Sequence, residues 1–340
     1  MKKVNVILAA LILFGLMTGC GGSGSGNTNT NESTTDETQT DVNIPAGITM
    51  TFQAKGEVQI SLRGLQSAVI DWGDDSSEET VLVEAYYKHY KHNYAQPAEY
   101  TIHITGEGIK YFSFFGLEII NLNINIPTLI YLDCNSSKIT TLNLSKITNL
   151  EELHCSSNQL TALDVSKNTN LKELHCEFNQ ITTLDISKNT ALEKLICSGN
   201  KLTTLDVSKN TALQVLYCYS NQLTSLDVSK NKMLEHLACG YQPLKSLDLS
   251  ANTMLKYLSC GETQLTSLDL SKNTQLIGID YNANQLSAEA LNALYRTLHS
   301  NNGGDYSEKY IHTFDNPGTN ASDATIAEKK GWAVNVYEGD

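Results

Sequence analysis

The most regular reactive side chains in this sequence are thiols. Cys134, Cys155, Cys176, Cys197, Cys218, Cys239 and Cys260 follow one another at intervals of 21 residues. A thiol can pair as a disulfide, ligate a metal or fill apolar space. Seven is an odd number, and side chains stacked in register point the same way, a poor geometry for a disulfide. A linear column also does not converge on an ion as metal ligands must. The cysteines are therefore read as buried thiols occupying the space of a leucine. A second column is acidic: Asp164, Asp185, Asp206, Asp227, Asp248 and Asp269. Its Asp-x-Ser-x-Asn string shares residue types with a calcium loop, but the Gly and distal Glu of such loops are missing. Hydrogen bonds to a local bend, with neutralisation by Lys167, Lys188, Lys209, Lys230 and Lys272, account for it better.

Three further groups invite chemistry. His154 and His175 sit one interval apart with Glu152, Glu173 and Glu177 nearby, a set that could bind zinc. Lacking a third fixed ligand, they are read as a solvated polar patch. Asp71, Asp74 and Asp75 could hold a hard cation; Gly73 between them points instead to a tight turn in which Asp side chains cap backbone N–H groups, with Trp72 anchoring a core. His89, His92 and His103 have no metal-ligand spacing. No nucleophile elbow, phosphate-binding Walker loop or His-Glu-x-x-His string occurs. No enzyme activity and no cofactor are expected.

The chain has 340 residues, with 24 Lys plus Arg against 37 Asp plus Glu, a formal charge of −13. That balance argues against nucleic acid and against electrostatic docking onto anionic lipid. A hydrophobic content of 41% is enough for a sizeable core.

The element that positions the thiols is a repeat. Aligned on the cysteines, the pattern is L-x-x-L-x-C-x-x-N-x-L-x-x-L-D-V-S-K-N-T-x, with seven copies from Leu129 to Gln275 and an eighth that carries Tyr281 in the cysteine slot. A fixed period of this length means stacked coils. Leu153 and Cys155 alternate inward from a short strand while Leu160, Leu163 and Val165 fill the opposite wall, so each coil needs a neighbour to cover its apolar face. At about 4.8 Å per strand, eight coils extend roughly 40 Å. Asn158, Asn179, Asn200, Asn221 and Asn284 mark the turn leaving the strand, where a buried amide satisfies backbone groups; Ser137, Gln242 and Thr263 replace it and weaken the ladder. Asn168, Asn189, Asn210, Asn231, Asn252 and Asn273 mark a second bend. The pattern resembles that of leucine-rich repeats, specifically the 21-residue subclass of internalin-type proteins with Cys in the strand. The resemblance implies a parallel β solenoid of right-handed coils that acts by binding.

Within each coil the second, third, fifth, seventh and eighth residues are expected to face outward, and these vary. Tyr131, His154, His175, Phe178, Tyr217, Tyr219, His236, Tyr241 and Tyr257 fall on these positions and form the candidate ligand face. Exposed aromatic rings on a rigid sheet suit protein contacts and also stacking on sugars.

At the start, Lys2 and Lys3 precede an apolar run from Val4 to Met17, shorter than the roughly 20 residues that span a bilayer. Leu16-Met17-Thr18-Gly19-Cys20 resembles a bacterial lipobox, which implies a lipidated Cys20 after cleavage of a signal over residues 1–20. Residues 21–41 contain no large apolar side chain and read as a flexible tether reaching at most about 70 Å. Residues 42–108 then alternate with period two, as in Ile48, Met50, Phe52 and Ala54, or Val58, Ile60 and Leu62, indicating a β-sandwich. The turn Trp72-Gly73-Asp74-Asp75 and the later Pro97-Ala98-Glu99-Tyr100-Thr101-Ile102 resemble PKD-type (polycystic kidney disease) domains. Residues 109–285 form the solenoid, its degenerate first copy from Ile109 to Thr128 joining it to the β domain. Residues 286–340 form a small α/β cap, with Ser287 capping a helix over Ala288–His299, a strand over Tyr310 to Phe314, a helix over Asp323–Lys330 and a last strand over Trp332–Val336.

The expected molecule is mostly β, a PKD-like sandwich followed by a capped leucine-rich solenoid. It is expected as a monomeric lipoprotein tethered in the cell envelope, on the outer membrane and facing outward, since Gly21 after Cys20 is not acidic. Its partner is expected to be a protein on a host or neighbouring cell, with a glycan as the alternative and no nucleic acid.

Overall fold

A computed structural model describes residues 46–64, 66–82, 86–300 and 309–335. The expected signal segment, Cys20 and the tether lie outside the described residues.

Strand β1 runs from Gly47–Gly64 and β4 from Lys88–Gly106; they pair antiparallel along their whole length, from Ile48 opposite Ile104 to Leu62 opposite Lys88. The period-two alternation does its work here: Ile48, Met50, Phe52, Val58, Ile60 and Leu62 are all buried. The sequence divides these residues into short strands, whereas the structure keeps each strand whole. Between Ala54 and Gly56 the register slips, and this bulge absorbs the polar interruption at Lys55-Gly56 without a turn. Strand β2 (Ser67–Asp71) lies beyond β4, with β3 (Glu79–Leu82) outside it. On its other side β1 pairs antiparallel with β5 (Ile109–Phe114) and β6 (Glu118–Asn125). These strands share one hydrogen-bonded sheet.

The turn after β2 forms as Asp and Gly dictate. Asp71 Oδ1 accepts from Gly73 N (2.9 Å) and Asp74 Oδ1 from Ser76 N (3.3 Å). Gly73 has φ +72°, and a Cβ there would lie 2.2 Å from the Thr101 carbonyl oxygen, so only glycine fits. Trp72 is buried, stacks on His92 at 5.0 Å and receives the Tyr94 hydroxyl proton on its own carbonyl (2.7 Å). His92 Nε2 meets Asp74 Oδ2 at 2.6 Å. The carboxylates thus serve the turn.

Strand β5 is where the antiparallel sheet becomes a solenoid. Its second edge pairs in parallel with β7 (Tyr131–Asp133), Phe112 lying opposite Leu132. From there the chain adds one three-residue strand per coil: β8 (Glu152–His154), β9 (Glu173–His175), β10 (Lys194–Ile196), β11 (Val215–Tyr217), β12 (His236–Ala238), β13 (Tyr257–Ser259) and β14 (Gly278–Asp280). Each pairs with the strand 21 residues away, Leu153 with Leu174 and Leu174 with Leu195. The seven cysteines are free and fully buried, one above another, and burial pushes their thiols far above the ordinary range. Tyr281 fills the eighth slot without exposure, its hydroxyl donating to the Ser267 carbonyl at 3.3 Å.

The two asparagine columns hold the bends. Asn179 Oδ1 accepts from Leu160 N of the previous coil (3.0 Å), while Nδ2 donates to the Cys155 carbonyl (3.0 Å) and to Cys176 (3.1 Å). Gln242, one of the replacements, keeps a bond to the Cys239 carbonyl (2.9 Å) and a long one from Leu223 N (3.4 Å). At the second bend Asn189 Nδ2 donates to Asn168 O (2.8 Å) and Val165 O (3.0 Å). The aspartate column makes local turns: Asp185 Oδ1 accepts from Ser187 N at 2.9 Å, and this bond repeats in each coil from Asp164 to Asp269.

Beyond β14 comes helix α1 (Ala288–Thr297), with Ser287 Oγ accepting from Ala290 N and Leu291, Leu294 and Tyr295 buried. The cap continues the solenoid rather than merely closing it. Strand β15 (Lys309–His312) pairs in parallel with β14, and Asn316 makes another amide rung to the Tyr281 and Thr313 carbonyls (3.0 and 3.1 Å). The longer interval between β14 and β15 hides this rung from a search at a fixed period. The second cap helix is shorter than the sequence implies, one turn at Thr325–Glu328 (α2), because Gly331 and the last strand β16 (Trp332–Val334) follow at once. Buried Trp332 closes this end, its indole donating to the His299 carbonyl at 3.0 Å.

Two outcomes test this interior. Native protein exposed to a thiol alkylating reagent should leave Cys134 to Cys260 unlabelled by mass spectrometry, with labelling only after denaturation, because both exposure and thiolate are denied. Bonds from the Ser residues two positions on hold the Asp column carboxyls below their usual range. Their stabilisation is complete above the unfolded carboxylate value of about 3.9 and is lost as pH falls through the lowered folded values. The thermal midpoint should therefore drop below about pH 4, and Asp185→Asn combined with Asp206→Asn should flatten that drop.

Candidate functional site

The outward residues fall into columns because adjacent strands are in register. Tyr131, Glu152, Glu173, Lys194, Val215, His236 and Tyr257 stand in the third-residue column, and Asp133, His154, His175, Ile196 and Tyr217 in the fifth. All are half-buried, each shielded by the residues above and below. The seventh column is less open than the repeat pattern implies: Ser156 is 7% exposed and Ser198 fully buried. Their small side chains are covered by adjacent coils, so these two positions pack the sheet, while Glu177 and Tyr219 of the same column stay half-buried.

The candidate residues gather into two clusters. Toward the β domain, Tyr131 meets His154 edge-on at 5.3 Å, and His154 stacks on His175 at 4.2 Å with planes 3° apart. Toward the cap, His236 stacks on Tyr257 at 4.9 Å. Tyr217 and Tyr219 lie between, half-buried, and burial raises both phenols above their usual range. The histidine pair is not the solvated patch that the sequence implies. Nε2 of both rings is buried without a hydrogen-bond partner, and burial, then the neighbouring His154 and Lys194, push His175 down to about 3. The close stacking follows from strand spacing, which leaves no room for water between the rings.

Phe178 and Tyr241 are presented differently. They occupy the eighth position, where the backbone is left-handed in coil after coil: Ser136, Ser157, Phe178, Gly199, Ser220, Tyr241, Glu262 and Ala283 have φ between 49° and 62°. The conformation survives because the N–H there donates to the next coil, from Phe178 to the Ser198 carbonyl and from Tyr241 to Gly261, both at 2.9 Å. A bulky side chain in this region costs about 1–2 kcal/mol. It also aims the ring away from the sheet, leaving Phe178 54% and Tyr241 50% exposed. Glycine at 199 accommodates the Phe178 ring, which a Cβ would approach to 2.6 Å.

The face is longer than the repeat count implies. Tyr111 of β5 tilts against Tyr131 at 5.5 Å, Tyr87 meets both rings edge-on, and the Arg63 guanidinium sits 4.1 Å from the centre of Tyr111. At the other end Tyr310, His312 and Phe314 form a further run at 5.0 and 5.7 Å. Tyr111 and Tyr310 both hold third-column positions, the signal that could have revealed them; Arg63 and Tyr87 arrive by tertiary packing, with no such signal.

A family model described as leucine-rich repeats matches residues 148–189, 169–210 and 190–231. The coils within residues 148–231 match leucine-rich repeats. The functional domain of InlJ from Listeria monocytogenes, which includes a cysteine ladder, is 36% identical with a TM-score of 0.56. The match covers 64% of this chain but 47% of that one, so the present chain spans about half of its length. A leucine-rich repeat protein of Leptospira interrogans is 20% identical, with a TM-score of 0.51 and 61% of each chain covered, and shares the fold. No curated protein matches the sequence. The repeat region is thus similar to the internalin repeat with its cysteine ladder, a mostly β scaffold.

The strained ring positions give a direct test. Phe178→Gly should leave the unfolding midpoint at or above that of the parent, because relief of the left-handed backbone offsets the lost ring contacts. Leu174→Ala on the buried side of the same coil should cost about 2–5 kcal/mol in chemical denaturation.

Proposed function

We propose that this chain is a bacterial cell-envelope lipoprotein that recognises a protein partner on a host or neighbouring cell. The observation that carries the reading is the line of aromatic and histidine rings along one register-locked sheet, from Tyr111 through Tyr131 and His154 to Tyr257. Rigid rings already ordered by stacking lose little entropy on docking, and exposed Tyr and Trp with Arg at an edge are the usual anchors of protein contacts. Phe178 and Tyr241 add two projecting contacts held at a cost in backbone strain, as happens where a position serves recognition rather than folding.

The lipobox-like Leu16-Met17-Thr18-Gly19-Cys20 supports lipid anchoring at Cys20, and the polar residues 21–41 support a tether between the anchor and the folded unit. Gly21 supports an outer-membrane, outward-facing position. The Trp72-Gly73-Asp74-Asp75 turn, with Asp75 in the left-handed conformation, supports a PKD-like origin for the N-terminal strands, which would hold the binding face clear of the tether. The molecule acts as a monomer in this reading.

Crosslinking on living cells, followed by mass spectrometry, identifies the partner. The expected result is a protein captured by the parent chain, lost with Tyr217→Ala plus Tyr257→Ala, and retained after glycosidase treatment. Capture abolished by glycosidase, with retention on a polysaccharide array, would replace the protein by a glycan. Cys20→Ser should abolish incorporation of labelled palmitate, and protease shaving of intact cells should degrade the protein; full protection would place it inside.

A further inference from the structure

The pair of imidazoles described above is adjacent to a carboxylate. Ligand atoms of His154, Glu173 and His175 all lie within 4.8 Å of one another. The three side chains come from the adjoining strands β8 and β9, whose backbones are fixed by register, Glu152 opposite Glu173 and His154 opposite His175. His175 Nε2 and Glu173 Oε2 are 3.5 Å apart. Two ligands at about 2.0–2.2 Å from a tetrahedral zinc-type ion are separated by roughly 3.4 Å, so one edge of such a coordination polyhedron is already in place.

Two further features mark this cluster. The Nε2 atoms of His154 and His175 are both buried and make no hydrogen bond. The rings stack face to face at 4.2 Å, with planes 3° apart. The second oxygen-rich neighbour, Glu177, follows His175 by two residues and also buries a carboxylate oxygen without a partner. Lys194 reaches Glu173 Oε2 at 3.5 Å from a side chain that is 34% exposed.

We propose that His154, Glu173 and His175 bind a divalent transition ion of the zinc type on the recognition face, with a fourth position open to solvent. Imidazole and carboxylate together suit zinc, copper and nickel and do not suit magnesium or calcium. Binding requires His154 to turn about χ2 so that its Nε2 lone pair converges with that of His175, closing the longest gap by about 1.4 Å if the edges are to reach tetrahedral length. It also displaces Lys194 from Glu173 into solvent, which that side chain's exposure allows. The ion would lie between Tyr131 and Lys194, and its open position would face the side from which a partner approaches. The site does not depend on whether that partner is a protein or a glycan.

The test titrates Co2+, then Zn2+, into the full-length protein carrying no tag histidines. The expected result is one Co2+ per chain with the visible absorption of a tetrahedral nitrogen and oxygen site, displaced by Zn2+. His154→Asn and His175→Asn should each weaken binding about 100-fold or more, since even outer partners of metal ligands are worth 10–100-fold. Lys194→Gln, which supplies no ligand and removes the ammonium that competes for Glu173, should tighten it several-fold and keeps the proposal testable if a histidine variant fails to fold. Absence of the visible band overturns the proposal. So does unchanged affinity in folded His154→Asn and His175→Asn proteins, or in Lys194→Gln. A thiolate-to-cobalt charge-transfer band would move the ion to the cysteine column and overturn it equally.

Discussion

Everything in this molecule rests on a side-chain amide shared between neighbouring coils. A 21-residue coil must bend sharply where the chain leaves its strand, and the bend strands backbone groups in the interior. Asn179 resolves this for two coils together: its oxygen accepts from Leu160 N of one, and its nitrogen donates to the Cys155 and Cys176 carbonyls of both. Such a rung has no meaning within an isolated coil. It ties folding to stacking, and it fixes the register at one repeat, because a slip of one residue would turn every inward leucine to solvent. At the opposite bend the second asparagine column ties coils through its nitrogen alone, Asn189 Nδ2 donating to the Val165 and Asn168 carbonyls of the preceding coil.

Register, once fixed, produces columns, and columns govern the chemistry on both sides of the sheet. On the inside, cysteine repeats because a small apolar side chain fits above its copy in the adjoining coil, and the desolvated thiols lose their acidity. On the outside, the same spacing brings unlike residues into contact without any local design. His154 stacks on His175 because both stand fifth in their coils, and the result is two rings that share one shielded surface, with burial lowering His175. The left-handed eighth position is repeated by backbone hydrogen bonding, so whatever residue stands there is projected, small in most coils and aromatic at Phe178 and Tyr241.

A parallel stack has two open edges, and the chain covers each with a different device. At one end β5 pairs antiparallel with β1 and parallel with β7, so the first coil is templated by the antiparallel strands, whose buried residues join the core of the coils. At the other, β15 and β16 extend the parallel ladder and Trp332 closes it. Both devices lengthen the outward face, since β5 contributes Tyr111 and β15 contributes Tyr310 to the third column.

The sequence by itself determined the coil. Period, inward leucines, buried thiols, bend asparagines and the helix capped by Ser287 are local or strictly repeated signals, and a repeat that contacts only its neighbours needs no distant information to be read. The third- and fifth-column identities of Tyr131, His154, His175, His236 and Tyr257 were legible for the same reason. Tertiary structure alone decided the state of those residues. That the Nε2 atoms of His154 and His175 are shielded depends on ring stacking across coils, and that Ser156 and Ser198 are buried depends on coverage by the coils beside them. It also decided that β1 and β4 run unbroken through a bulge, that Arg63 and Tyr87 join the face, and that Asn316 adds a rung after an irregular interval. Those outcomes come from contacts between segments far apart in the chain, whose energies have no counterpart in any window of sequence.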